Sequence, residues 1–314
     1  MNNKKIDSSN SQNVDAEYRL DLLEILQVLY KKKIMIIMTA LGFFCAAVSY
    51  SLTLSNHYQT ETILMVKDQS NRAMSGGIGG LASMAGLTLG NGSSTKIDLA
   101  EHTIKSRFFL KHLLDTDSTL LPKLMASKNF NSKTKKIIFD NKLYDSQADK
   151  WLRKATPSRN SKPSYLEVHK RYLSMLTIVV DQMTGYISIK FEHVSPVFAS
   201  DFLELIINEV NELLRKKDLK ESADALNYLT TEVPKSSIIS MREAMNELIE
   251  GQLETQMMAK IDGNYVLKTI EPPYIPEEKS KPIRSILALA GLLLGFVISS
   301  LYVLIRTYIF KRKV

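Results

Sequence analysis

The chain has 314 residues, a net charge of +8 and a single cysteine, Cys45. One cysteine excludes an internal disulfide framework and any metal site built from several thiolates. The charge is uneven: residues 1–33 carry +1, residues 306–314 carry +4, and the 231 residues from 55 to 285 keep +3, a near-balanced surface without a footprint for nucleic acid.

Residues 1–16 are polar and rich in Asn and Ser, a composition that does not bury enough apolar surface to order itself. From Glu17 to Tyr30 the pattern changes. Leu22, Ile25, Leu26 and Leu29 recur at helical spacing opposite Asp21 and Glu24. A short amphipathic helix is expected, lying at a membrane interface or simply extending the next helix. Lys31, Lys32 and Lys33 then precede Ile34–Leu54, twenty-one residues without a charge. A cleaved signal peptide fits poorly, because the leader is long and the apolar run exceeds an ordinary h-region. Phe44 before Cys45 also argues against a lipoprotein cleavage site. The segment reads as a first transmembrane helix with residues 1–33 as a cytoplasmic tail.

The second uncharged block, Ile286–Ile305, has twenty residues, which as helix reach about 30 Å, the thickness of a bilayer core. The three lysines put the N-terminus in the cytoplasm, and two spans return residues 306–314 to the same side, where Arg306, Lys311, Arg312 and Lys313 agree. Lys279, Lys281 and Arg284 flank the second span on its other side, so the first span and the long translocated middle decide the orientation.

Between the spans, 55–285 is the expected working domain. Tyr58–Lys67 is rich in β formers and reads as a strand. Met74–Ser94 holds seven of the thirteen glycines and reads as a spacer or a contact loop. Ile97–Leu114 is helical in pattern, and 115–170 alternates short helical patches with polar turns. Leu176–Val180 and Tyr186–Phe191 bracket a turn containing Gly185, the signature of a hairpin. Ser195 and Pro196 then open a helix, as cap and first-turn residue. It is expected to run over 197–233, about 55 Å. Its apolar stripe is too long for a small domain to bury alone, so Phe202, Leu205, Ile206, Val210 and Leu213 are expected at contacts with a neighbouring subunit. A second helix is expected over 236–261, ending at Gly263. Tyr265–Ile270 reads as a strand able to pair with Tyr58–Lys67 and so bring the two spans together. Residues 271–285 hold Pro272, Pro273, Pro276 and Pro282, and proline's fixed φ and missing N–H make this a stiff extended strap. The fold class is α+β, two spans flanking a domain with an α/β base and long helices.

Catalytic constellations do not emerge. The run Gly90–Lys96 lacks the spacing of a phosphate cradle, and the glycines at 76, 77, 79 and 80 do not complete a dinucleotide fingerprint. The histidines at 57, 102, 112, 169 and 193 never fall at i,i+3 or i,i+4, so none forms a helical metal pair. Glu277 and Glu278 sit in the strap, where a solvated face outweighs an acid/base role, and Trp151 is read as core before sugar platform. No enzyme activity and no cofactor are expected. Gly291, Gly295 and Ser299 make a small-residue stripe on one face of the second span, and Gly42 and Ala46 repeat that spacing in the first. Both stripes suit close helix packing or oligomerisation, although such spacings also occur by chance.

The lead Leu20–Leu26 into the first span, the strand just after it and Leu248–Gln252 on the second long helix form a series. It continues through Tyr265–Val266, Glu271–Pro272 and Pro276–Glu277, and ends with Ser280–Pro282 entering a glycine-bearing last span. In this order and spacing the series resembles the Wzz-type chain length determinants, the polysaccharide co-polymerases. The resemblance implies a bacterial inner-membrane protein with a periplasmic domain, both termini cytoplasmic, assembled as a ring-shaped homo-oligomer. It implies control of the modal length of a surface polysaccharide, such as lipopolysaccharide O-antigen, made by a separate membrane polymerase. The expected partners are that polymerase, membrane lipid and the growing polysaccharide. The fused kinase of some relatives is not expected, since the chain has no phosphate loop. Two rival readings remain open: a capsule or exopolysaccharide co-polymerase working with an outer-membrane exporter, and a membrane-anchored sensor or adaptor that does not act on polysaccharide. A membrane-anchored glycan hydrolase is a remote third.

Overall fold

The computed structural model describes residues 22–66, 92–156, 160–235, 237–261 and 263–311. In chain order the elements are α1 (Leu22–Lys31), α2 (Lys33–Thr53), β1 (Tyr58–Val66), α3 (Gly92–Lys105), α4 (Arg107–Thr116) and α5 (Leu120–Ala126). Next come β2 (Ser127–Asn131), β3 (Lys136–Phe139), β4 (Tyr144–Asp145), β5 (Lys150–Trp151), α6 (Tyr165–Met175), β6 (Leu176–Val180) and β7 (Tyr186–His193). The chain continues through α7 (Pro196–Glu232), α8 (Ile239–Ile261), β8 (Leu267–Glu271) and α9 (Arg284–Lys311). It divides into two compact units, Met1–Leu54 with Pro282–Val314, and Ser55–Lys281.

The first unit is helical. α2 and α9 are each long and apolar enough to cross a membrane, they pack against one another, and α1 lies against α9. The second unit is built on a four-stranded antiparallel sheet in the order β6-β7-β1-β8. Strand alternation decides its faces. Thr60, Thr62, Leu64 and Val66 of β1 and Ile187, Ile189, Phe191 and His193 of β7 are all buried. The first half of α7 covers this face with Phe198, Phe202, Leu203, Ile206, Ile207, Val210 and Leu214, joined by Phe109, Leu110 and Leu113 of α4 and Val168 and Tyr172 of α6. Phe191 meets Phe202 tilted at 4.9 Å between ring centroids, and Tyr172 stands edge-on to Phe202 at 6.2 Å, the latter the T-shaped arrangement that aromatic rings favour.

Local chemistry explains most boundaries. The Ser195 hydroxyl accepts the Phe198 N–H and Pro196 fills the first turn of α7. α7 stops at Glu232 in a short 3₁₀ turn, Val233–Lys235, that contains Pro234. In the β6–β7 hairpin Gly185 takes φ +70°, while the Asp181 carboxylate accepts the N–H groups of Met183 and Thr184. These bonds, led by the one from Met183, hold the Asp181 carboxyl below its ordinary range.

Three sequence expectations are corrected. The helix over Ile97–Leu114 is two helices, because Ser106 adopts an extended conformation and caps α4 through the Phe109 N–H. The second long helix begins at Ile239 instead of 236. The strand expected from Tyr265 begins at Leu267. The stretch 115–170 contains α5, two small hairpins (β2–β3 and β4–β5) and α6. The glycine-rich segment lies outside the described residues except for Gly92–Ser94, which fall in the first turn of α3. Residues 1–16 lie outside them entirely.

Candidate functional site

Among the described residues no group of three His, Cys, Asp or Glu side chains could hold a metal ion. The features with functional geometry are mechanical: a seam between two apolar helices, a strap stitched to a sheet, and a lock at the middle of the long helix.

The seam is set by glycine. A Cβ placed on Gly295 would lie 2.7 Å from the Phe43 Cβ and 2.9 Å from the Ala40 Cα, and one on Gly291 would strike the Ala47 side chain. Ser299 is buried on the same stripe, its hydroxyl donating to the Phe296 carbonyl. Gly291, Gly295 and Ser299 therefore face α2, as small residues do where helix backbones approach closely. The matching stripe on α2 differs from the expected one. Gly42 has open space where a Cβ would be and Ala46 is exposed. Ala40, Phe43 and Ala47 form the actual α2 face, since the seam follows i+3 and i+4 steps from Ala40.

The strap runs extended from the end of β8. Two buried threonines of β1 stitch it down: Thr62 Oγ1 donates to the Glu271 carbonyl and Thr60 Oγ1 to the Tyr274 carbonyl, both at 2.7 Å. Farther along, the His57 N–H donates to the Lys281 carbonyl at 2.9 Å and the Ser280 N–H to the His57 carbonyl at 2.8 Å. Pro276 is buried; Pro272 is exposed, and Pro273 and Pro282 are half-buried. The prolines cost this segment no hydrogen bonds, because its cross-bonds come from side-chain hydroxyls and from His57 and Ser280. Glu192 accepts from Lys281 Nζ at 2.6 Å and lies 3.6 Å from His57 Nδ1. Burial lowers the pKa of His57, Glu192 opposes that shift, and Arg171 and Lys281 add to it.

The lock is Asn211, fully buried near the middle of α7. Its carbonyl oxygen accepts the N–H groups of Val266 (3.0 Å) and Leu267 (2.8 Å), and its amide donates to the Leu267 carbonyl at 2.9 Å. Nearby the Tyr265 hydroxyl donates to Asp218 at 2.8 Å, and burial followed by this bond pushes the phenol pKa up. Asn211 takes the Val266 N–H, and β8 starts at Leu267, two residues later than expected. A second buried polar group stands where β7 ends. His193 Nε2–H donates to the Lys123 carbonyl at 3.0 Å, and Nδ1 accepts the Ser195 N–H at 3.1 Å. This fixes a neutral tautomer, and burial lowers the His193 pKa to about 4. Neither Asn211 nor His193 was singled out by sequence. A polar residue inside an otherwise apolar helical stripe was the available signal for Asn211.

The five α7 residues expected at a subunit contact need correction. Phe202, Ile206 and Val210 are in the chain's own core, and Leu205 and Leu213 pack against it. The sheet consumes this stripe. Unpaired apolar surface lies instead on α8, where Leu253 is half exposed, Met257 61% exposed and Ile261 78% exposed, at successive i+4 positions. Trp151 is half-buried on the β4–β5 hairpin, where it packs on the Tyr144 ring at 5.1 Å, outside the main core. Glu277 and Glu278 are exposed.

Residues 18–116 match the family model described as Wzz, chain length determinant protein. The match takes in α1, α2, β1, α3 and α4. Among solved structures, a full-length bacterial polysaccharide co-polymerase is similar at 14% identity, with 93% of this chain and 99% of that chain covered and a TM-score of 0.39. A fragment of WzzB, polysaccharide co-polymerase from Salmonella Typhimurium, is similar at 13% identity, with 72% and 100% covered and a TM-score of 0.29. No curated protein sequence gives a significant match.

Proposed function

We propose that this chain sets the modal length of a surface polysaccharide, most simply lipopolysaccharide O-antigen, as an oligomeric scaffold beside a separate polymerase in the bacterial inner membrane. The observation that carries the reading is the Wzz match over residues 18–116, which falls on the segment that joins a membrane anchor to the domain's central strand. The rest of the architecture is consistent with it. Two terminal apolar helices anchor a large soluble domain, and the strap and β8 return the chain to β1, which follows the first span. On this reading the domain is periplasmic and both termini are cytoplasmic, as the basic residues of the two tails favour. The protein works by position instead of by bond chemistry. Copies gather through the apolar face of α8, and the assembly biases when polymerisation stops.

The test is a gel of surface polysaccharide from cells with and without the gene. Deletion is expected to turn a clustered band pattern into a random spread, with total polymer retained. Loss of all surface polymer would instead assign the chain to export, and an unchanged ladder would overturn any role in polysaccharide.

A further inference from the structure

The sequence places cations beside both apolar helices, and the structure brings two of them, one from each helix, to one cavity. Lys32 immediately precedes α2, and Arg306 follows the last residue of the uncharged run Ile286–Ile305. Both line one cavity of about 360 Å³ in the crease between α2 and α9, with Met35, Val303 and Thr307. None of these lining residues is acidic. Among the described side chains neither Lys32 nor Arg306 forms an ion pair, whereas Lys33 is engaged on the Tyr30 ring, its Nζ 4.3 Å from the ring centroid. The Thr307 hydroxyl is already donated to the Val303 carbonyl at 2.8 Å, so among the described lining side chains the two cations are the donors left to offer.

We infer that this crease is a binding site for the phosphate of an anionic phospholipid headgroup. Three features select that ligand. Two cations on facing helices match one phosphate, which Arg can take bidentately and Lys as a point charge. Their position where the uncharged runs end is headgroup depth. Met35 and Val303 give the cavity an apolar wall, which a lipid's glycerol and upper acyl chain can cover and a free phosphate cannot. Basic pockets between membrane helices are the setting in which such headgroups bind. A lipid seated there neutralises two like charges that otherwise face each other across the crease, and so holds these ends of the helices together. The inference rests on α2 and α9 crossing a bilayer and is independent of length control.

The test uses the full chain in nanodiscs of phosphatidylcholine containing a minor fraction of phosphatidylglycerol, with retained lipids counted by native mass spectrometry. Wild type is expected to retain phosphatidylglycerol in preference to phosphatidylcholine. Lys32→Gln with Arg306→Gln is expected to lower that retention by about 10-fold. Lys31→Gln with Lys33→Gln removes the same charge beside the cavity and is expected to leave retention within about 2-fold, because a diffuse field, unlike a seated ion pair, is screened by salt. Equal losses in both double variants, or no preference in wild type, would overturn the site. Displacement of the lipid by millimolar inorganic phosphate would overturn the lipid assignment. Failure of the chain to enter nanodiscs would overturn the membrane reading beneath it. None of these outcomes depends on the polysaccharide gel.

Discussion

Asn211→Ala removes three hydrogen bonds at once from a site with no solvent to replace them. The Val266 and Leu267 N–H groups lose their acceptor and the Leu267 carbonyl loses its donor. A buried orphan group costs about 1–3 kcal/mol. Three such groups put the loss at no less than about 3 kcal/mol. For a domain of this size each kcal/mol moves the melting temperature by about 2–4 °C, so the variant is expected to melt at least about 6 °C lower at a fixed scan rate. Asn211→Asp separates the contributions. A carboxylate keeps both N–H bonds but cannot donate to the Leu267 carbonyl and buries a charge. Its protonated form can donate, so the deficit of this variant relative to wild type at the same pH is expected to shrink as pH falls. Thermal melts of the full chain in detergent between pH 5 and pH 8 would show this. If both variants melt within about 2 °C of wild type at every pH, the network is not holding α7 to β8.

Three further expectations follow from the geometry. His193 is held neutral with a pKa of about 4, below its ordinary 6.5; the unfolded state then binds the extra proton first, so stability is intact above pH 6.5 and falls as pH drops toward 4, by on the order of 3 kcal/mol. In pH-dependent melts His193→Gln should be less stable at neutral pH and flatter across that window, and an unchanged slope would refute the assignment. Gly295→Ile should drive α2 and α9 apart, because even a Cβ there meets the Ala40 backbone at 2.9 Å, whereas Gly42→Ala should be neutral. Disulfide yield between Met35→Cys and Val303→Cys, in a Cys45→Ala background, reads the difference, and equal yields would refute the seam. Leu253→Gln with Met257→Gln should lower the particle mass by light scattering while leaving the fold intact. Phe202→Ala should instead destabilise the chain itself by about 3–5 kcal/mol, and the reverse pattern would restore the α7 stripe as the subunit contact.

Elements with strong local chemistry were legible in the sequence. Two uncharged runs gave the apolar helices, Gly185 gave the hairpin turn, and Ser195 with Pro196 gave the start of α7 to within a residue. The pairing of the strand after the first span with the one before the strap was also readable, because alternating β formers flanked by breakers leave few choices of partner. What failed depended on direction instead of type. Gly42 and Ala46 have the spacing of a packing stripe, but spacing does not say which way a helix is rotated, and the glycines of α9 chose Ala40, Phe43 and Ala47. Ser106 lies inside a continuous helical pattern, yet its side chain caps the next helix. The role of Asn211 is not legible in sequence because its partners lie more than fifty residues away.

The misreading of α7 has the most consequence. Its apolar stripe is continuous in sequence but has two regimes in the fold. From Phe198 to Leu214 the sheet and the neighbouring helices bury it. Beyond Leu214 Ser222 is its only fully buried residue, and α8 is the long helix packed beside it. A helix paired only with another helix hides one side of each, so any surplus apolar surface must appear on an outer face. On α8 it appears at Leu253, Met257 and Ile261, one helical turn apart. The surplus expected on the α7 stripe is not there, because the core consumes it, and the exposed apolar surface on α8 is a separate one. A search for the subunit contact should begin on α8, because substitutions in the first half of α7 would damage the domain core before they reported on assembly.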